Sequence, residues 1–219
     1  MVTRRDFLKL ISLGSVGMLA ACSSPAAKGN AASADTASGD GTQPSTSGEA
    51  EASSSSGTTS ATALVVDFSY EEHTWQMAQR IAEKTGADLF RIEPTTAYPD
   101  DYNTTVGQAR QEQRANEMPD YTGDVDGWEG YDTIYLGYPI WWYQLPQIVK
   151  HFCSDHDWTG KHIYLFDSHM GIGWSDTPDE VRNLCGGATA VDAGVSIRGD
   201  EIPDRLDEVD SWLTDQGLA

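Results

Sequence analysis

Between residues 61 and 219, short apolar and β-branched runs alternate with segments whose apolar residues recur at helical spacing. That alternation restricts the fold more than any other feature of the chain. Residues 61–68 predict a first strand. Residues 73–84 predict a helix, with a stripe of Met77, Ala78, Ile81 and Ala82 closed by Thr85-Gly86. A second strand over 87–93 stops at Pro94, and a polar segment leads to a helix near 103–116. The third strand, 131–138, ends at Pro139, which has no N–H for a ladder. Leu145, Ile148, Val149, Phe152 and Cys153 then mark a helix with Pro146 in its first turn. Residues 161–167 give a fourth strand. Thr177-Pro178-Asp179-Glu180 combines a cap, a proline and an acidic first turn, and Gly186-Gly187 ends that helix. Residues 188–197 give a fifth strand, interrupted at Gly194, and Leu206, Val209, Trp212 and Leu213 mark a last helix. Five strands connected by helices predict a parallel sheet covered on both faces. The unbroken apolar run Leu64-Val65-Val66 agrees, since such a strand is buried on both sides.

The first residues read as an address. Arg4-Arg5-Asp6-Phe7-Leu8-Lys9 precedes an apolar stretch, residues 10–21, that ends in Leu19-Ala20-Ala21-Cys22. A charged start, a short apolar run and small residues form an export signal over residues 1–21. The run is too short to span a bilayer. The paired arginines are similar to a twin-arginine signal, and Leu-Ala-Ala-Cys is similar to a lipobox whose cysteine, Cys22, is acylated. Residues 23–60 are nearly all Ser, Thr, Ala and Gly, which offer little to bury and predict disorder. Such a tether has an end-to-end distance of roughly 35 Å. The expected location is the outer face of a bacterial cytoplasmic membrane, with the lipid anchor as the only membrane contact.

The chain carries a formal charge of −20, and removing residues 1–21 leaves about −22. Phosphate backbones would be repelled, which argues against a nucleic-acid partner. Besides Cys22 the chain holds Cys153 and Cys185; these read as two buried thiols or as one bridge, not as a disulfide framework. Cys153 and His156 have metal-like spacing but no second pair nearby. Asp67, at the end of a buried strand, predicts a paired carboxylate.

In a parallel sheet of this kind the loops after the first, third and fourth strands share the carboxyl edge, where ligands bind. The first, residues 69–74, leads into a helix N-terminus that favours an anion. The second is Pro139-Ile140-Trp141-Trp142-Tyr143, which places two flat indoles on a loop, one expected against a ligand ring and one packed beneath. The third is Ser168-His169-Met170-Gly171-Ile172-Gly173-Trp174, whose glycines allow close backbone approach. Together they describe a seat for a flat ring with a phosphate tail. His169 reads either as a solvated residue or as a hydrogen-bond partner of that ring. Tyr98 and Tyr102 either cover the site or belong to ordinary packing.

From about Thr62 to Leu218 the chain resembles the flavodoxin-like family, in its branch of small bacterial proteins with a Tyr-Pro-x-Trp-Trp loop. The resemblance rests on Ala97-Tyr98-Pro99-Asp100-Asp101-Tyr102-Asn103, on Gly137-Tyr138-Pro139-Ile140-Trp141-Trp142 and on Leu184-Cys185-Gly186-Gly187-Ala188-Thr189. It implies a doubly wound five-stranded sheet of order 2-1-3-4-5 with FMN at its switch point. It implies phosphate contacts from Ser69, Tyr70, His73 and Thr74, ring contacts from Pro139, Ile140, Trp141 and Trp142, and a far wall from Ser168, His169, Gly171 and Gly173. The phosphate loop departs from the family's Ser-x-Thr-Gly-Asn-Thr: Glu71 replaces a threonine and Glu72 a glycine, with His73 as a compensating charge. Three functions compete, the first two favoured by the Tyr138 to Trp142 loop and the third by the Glu71-Glu72 pair. One is an electron carrier between an unidentified redox partner protein or small-molecule acceptor and its donor. Another is an NAD(P)H- or quinol-linked flavin enzyme reducing quinones. The last is a flavin-free binding module.

Overall fold

The structure is a computed structural model, and it describes residues 62–219; the expected export signal, Cys22 and the expected linker lie outside the described residues. The strand β1 (Ala63–Asp67) leads through α1 (His73–Thr85) to β2 (Asp88–Arg91). A two-residue strand β3 (Glu93–Pro94) and α2 (Tyr102–Ala115) precede β4 (Tyr121–Thr122). Then come β5 (Thr133–Pro139), α3 (Gln147–Asp155), β6 (His162–His169), α4 (Thr177–Leu184), β7 (Ala190–Arg198) and α5 (Ile202–Asp215). The main sheet has the order β2-β1-β5-β6-β7 and is parallel throughout. Counting its five strands alone, that is the expected 2-1-3-4-5, and the chain has the flavodoxin-like α/β fold.

Alternation along each strand sends side chains to two separate cores. Leu64, Val66, Leu136 and Leu165 meet Ile148, Val149 and Phe152 of α3 and Val181 of α4. Val65, Tyr135 and Phe166 meet Met77 and Ile81 of α1 and Val209 and Leu213 of α5. The α1 helix ends on Gly86 at φ 71°, whose N–H closes onto the Ala82 carbonyl at 2.9 Å. A two-pronged ion pair of Arg80 with Asp210, at 2.7 and 2.6 Å, clasps α1 to α5.

Several local expectations differ from the structure. β3 and β4 form an antiparallel ribbon, Glu93 opposite Thr122 and Pro94 opposite Tyr121, which at two residues each is too short to leave a pattern. Pro139 is the last residue of β5, paired with Ser168, and the ladder continues through Ile140 N–H to the Ser168 carbonyl at 2.8 Å. Pro146 is the residue before α3 rather than a member of its first turn, because its ψ of 140° is extended. The α4 helix has Asp176 at its N-cap and no side-chain cap there; the Thr177 hydroxyl instead donates to the Trp174 carbonyl at 2.7 Å. In β7 the register slips by one residue, Gly194, opposite the step from Leu165 to Phe166.

Register places the site. Asp67 pairs with Gly137, and Pro139 pairs with Ser168, so β1, β5 and β6 release their loops at one level of the carboxyl edge.

Candidate functional site

A cavity of about 290 Å³ opens at that edge. Of the residues expected there, Ser69, Tyr70, His73, Thr74, Pro139, Ile140, Trp141, Trp142, Ser168 and His169 line it. Gly171 and Gly173 are not among the lining residues. Both have positive φ, 108° and 61°, and the loop they bend presents Met170 and Ile172 to the cavity instead. Tyr102 lines the cavity, whereas Tyr98 is buried, donates to Glu112 Oε2 at 3.1 Å and belongs to the packing below.

The first loop solves a problem of charge. Glu72 occupies the N-cap position of α1 at φ 62°, a left-handed conformation that suits glycine. Its side chain makes no cap hydrogen bond. Instead both its carboxylate oxygens accept from the Arg91 guanidinium, one of them at 3.0 Å, and Glu72 is absent from the cavity wall. Glu71 does line the wall, 4.0 Å from His73 Nδ1. The hydroxyl of Ser69 is buried without a partner, and the Thr74 and Ser168 hydroxyls bond to each other at 2.8 Å. A buried hydroxyl left without a partner costs free energy unless a ligand supplies one. Together with an uncapped helix start it fits an anionic tail.

The second loop is a two-residue hairpin. Trp141 and Gln144 exchange backbone hydrogen bonds at 3.1 and 3.0 Å, and the residues between them, Trp142 and Tyr143, have φ of 50° and 67°. This type I′ turn favours Asn-Gly; here it carries two large aromatics. The strain has a counterpart in α2. Trp142 Nε1 donates to the Val106 carbonyl at 3.0 Å, Arg110 lies 4.1 Å over its ring, and Gln113 donates to the Trp141 carbonyl at 2.7 Å. The two indoles part company. Trp141 points inward, edge-on to Phe68 at 5.4 Å and Tyr98 at 5.1 Å, while Trp142 remains about a third exposed at the mouth. Replacing Tyr143 with glycine is expected to raise stability by about 0.5–1 kcal/mol, the relief of the left-handed backbone less the entropy of glycine. Urea unfolding of the variant beside the parent measures it.

The third loop fixes a tautomer. His169 Nδ1 accepts the Gly171 N–H at 2.8 Å, so in the neutral ring the proton resides on Nε2. Burial, then the nearby Arg198 charge, lowers the His169 pKa. Near neutral pH this residue therefore brings a neutral N–H donor to the wall.

Two acids lie beneath. Asp67 is fully buried and neither carboxyl oxygen has a hydrogen-bond partner, contrary to the expected pairing. Burial raises its pKa well above the ordinary value, with the Arg91 charge opposing. Asp167 accepts one hydrogen bond, from Ser196 at 3.0 Å, and burial pushes it up to about 7.

Apart from Tyr102, the sequence did not disclose the fourth wall. Tyr102, Thr105, Val106 and Ala109 of α2 close one side, and Gly199 lies against the His73 ring, where a Cβ would come within 2.9 Å of Nδ1. Small residues one turn apart on α2, Thr105 and Ala109, were the available signal. Of the six exposed large hydrophobic side chains among the described residues, Tyr102, Trp142, Tyr143, Met170 and Ile172 ring this one mouth. That concentration marks a binding surface rather than chance exposure.

The chain matches the family model for flavodoxin over residues 62–214. Among solved structures, a protein from Bacteroides eggerthii shares 21% identity at a TM-score of 0.62, covering 73% of this chain and 99% of its own. One from Bacteroides uniformis shares 24% at 0.62, covering 70% and 98%. A flavoprotein from Lactobacillus acidophilus, solved in complex with FMN, shares 18% at 0.55, covering 69% and 98%. No curated protein matches the chain significantly.

Proposed function

The chain belongs to the flavodoxin family, and from that premise we propose that it binds FMN in the carboxyl-edge cavity and carries electrons. The observation that carries this reading is the meeting, in one cleft, of an uncapped helix start with the orphaned Ser69 hydroxyl and of a flat aromatic mouth. The Lactobacillus acidophilus neighbour, crystallised with FMN, supports the choice of flavin. A bound flavin would supply the redox chemistry. The chain's own residues do the rest. The first turn of α1 and Ser69 hold the anionic tail. Trp142, braced by Val106 and Arg110, walls the ring and excludes water. His169 keeps its proton on Nε2 as a neutral donor.

We further propose, from the Arg4-Arg5 and Leu19-Ala20-Ala21-Cys22 patterns, that the protein is exported and held at the membrane through an acylated Cys22. The partner is then a redox protein or small acceptor reached at the cell's outer face. A second reading, a flavin enzyme reducing quinone-like acceptors, is favoured by the apolar ring of side chains around the mouth.

Titrating the purified full chain with FMN tests the proposal. The expected result is a perturbed, vibrationally structured flavin spectrum and quenched flavin fluorescence. The mature chain's charge of about −22 opposes adding negative charge on reduction. The potential for full reduction is accordingly expected below that of free FMN, as read by redox titration. An FMN spectrum unchanged by excess protein would refute flavin binding. Turnover with reduced nicotinamide and a quinone would favour the enzyme over the carrier.

A further inference from the structure

Resting on the flavin reading above, we propose that Arg91 is the positioning residue of the anion seat: by holding the Glu72 carboxylate away, it keeps the first turn of α1 free for a phosphate. Glu72 is the N-cap residue, so its carboxylate starts within reach of the unpaired amides of that turn. An unrestrained carboxylate there is drawn to those amides by their partial positive charge. It would fill the seat itself, as a built-in competitor of the ligand's anionic tail. The structure shows the opposite arrangement. The N-cap has no side-chain hydrogen bond, and both carboxylate oxygens are bound by Arg91.

Arg91 is well placed to do this. It ends β2, paired in register with Asp67, where β1 turns into the loop. Its guanidinium lies 4.8 Å over the Trp75 ring and also reaches the Ser69 carbonyl at 3.5 Å, so one planar cation spans both ends of the loop. The other acids around it compete poorly. Glu93 stands 4.0 Å from Nε, and Asp67, buried without a hydrogen-bond partner, does not reach it. The orphaned Ser69 hydroxyl independently indicates that the seat awaits an acceptor or donor from outside the chain. The retained Glu72 therefore makes affinity for a phosphorylated ligand conditional on one arginine nineteen residues away.

The test compares FMN with riboflavin, which has the same ring and no phosphate, on the full-length chain. The readout is the ratio of their affinities, which a general loss of packing does not move. Arg91→Gln is expected to lower the FMN-to-riboflavin ratio on the order of tenfold, from a released carboxylate beside a dianionic phosphate. Glu72→Gln alone should raise the ratio, because Arg91 is then an uncommitted cation near the seat. The double variant Glu72→Gln/Arg91→Gln should recover most of the ratio lost in Arg91→Gln. An unchanged ratio in Arg91→Gln, or no recovery in the double variant, would overturn the inference and leave the flavin site standing. Equal binding of both flavins by the parent would overturn it too, since no phosphate seat would be in use. If the parent binds neither flavin, the flavin reading falls and this inference falls with it.

Discussion

Gly137→Ala is expected to destabilise the fold by about 3 kcal/mol, the upper end for overpacking a core. Gly137 lies in the central strand β5, and the ring of Phe166 from β6 crosses the space a side chain would need. An added Cβ would overlap that ring and stand 2.7 Å from Asp67 Oδ1. None of these neighbours is free to yield. Phe166 is fully buried, and Asp67 is buried on the strand at the other side. The midpoint of urea unfolding should fall with an unchanged slope, which reports lost stability rather than a changed denatured state. Trimming the obstacle should give back part of the loss. Gly137→Ala combined with Phe166→Leu should cost less than the sum of the two single changes, because the residues are in contact. Strict additivity in that cycle would show that the ring is not what excludes a side chain at position 137.

Asp167→Asn should act in the opposite direction and depend on pH. Burial raises the folded-state pKa of Asp167 to about 7, against an ordinary carboxyl value near 4 in the unfolded chain. Below pH ~4 both states hold the proton, and this group makes no difference to stability. As pH rises, the unfolded state ionises first, so the folded state loses stability progressively until the pH passes its own pKa, and the loss is then constant. The difference between the two pKa values sets an upper bound on that loss of about 4 kcal/mol. Asparagine cannot ionise and keeps an oxygen to accept the Ser196 hydroxyl. The variant should thus unfold at higher denaturant than the parent at pH 8, with the gap closing toward pH 4. A gap that persists at pH 4 would mean that packing, not ionisation, distinguishes the two. Asp67, raised in the same direction, adds to the acid-side stability of the parent.

The sheet was legible because parallel strands buried on both faces must be apolar at consecutive positions, as Leu64-Val65-Val66 are, and because apolar stripes between them repeat at helical spacing. The order of strands and the shared edge of their loops follow from that alternation, so ten of the cavity's residues could be named from spacing and resemblance. What stayed hidden came from contacts between distant segments. Arg91 is an ordinary edge-strand residue until register sets it beside Asp67 and its guanidinium finds Glu72. The α2 wall depends on Trp142 and Gln113 meeting partners across 28 and more positions. The glycines of the third loop act through their neighbours: a residue with positive φ bends the chain, and here Met170 and Ile172 line the cavity. Asp67 misled because a charged residue inside a strand suggests a partner, whereas a carboxyl that keeps its proton can stay buried without one.

An open parallel sheet leaves two unpaired rims, one along β2 and one along β7. Each is a template on which a strand of a neighbouring molecule could grow. β2 is four residues long and carries Asp88 and Arg91, too short and too charged to extend. β7 is nine residues long, but it has the Gly194 bulge in its middle and an exposed Asp192 before it. The same slip that admits the Trp212 ring against Gly194 therefore also breaks the straight row of amides that self-association would require.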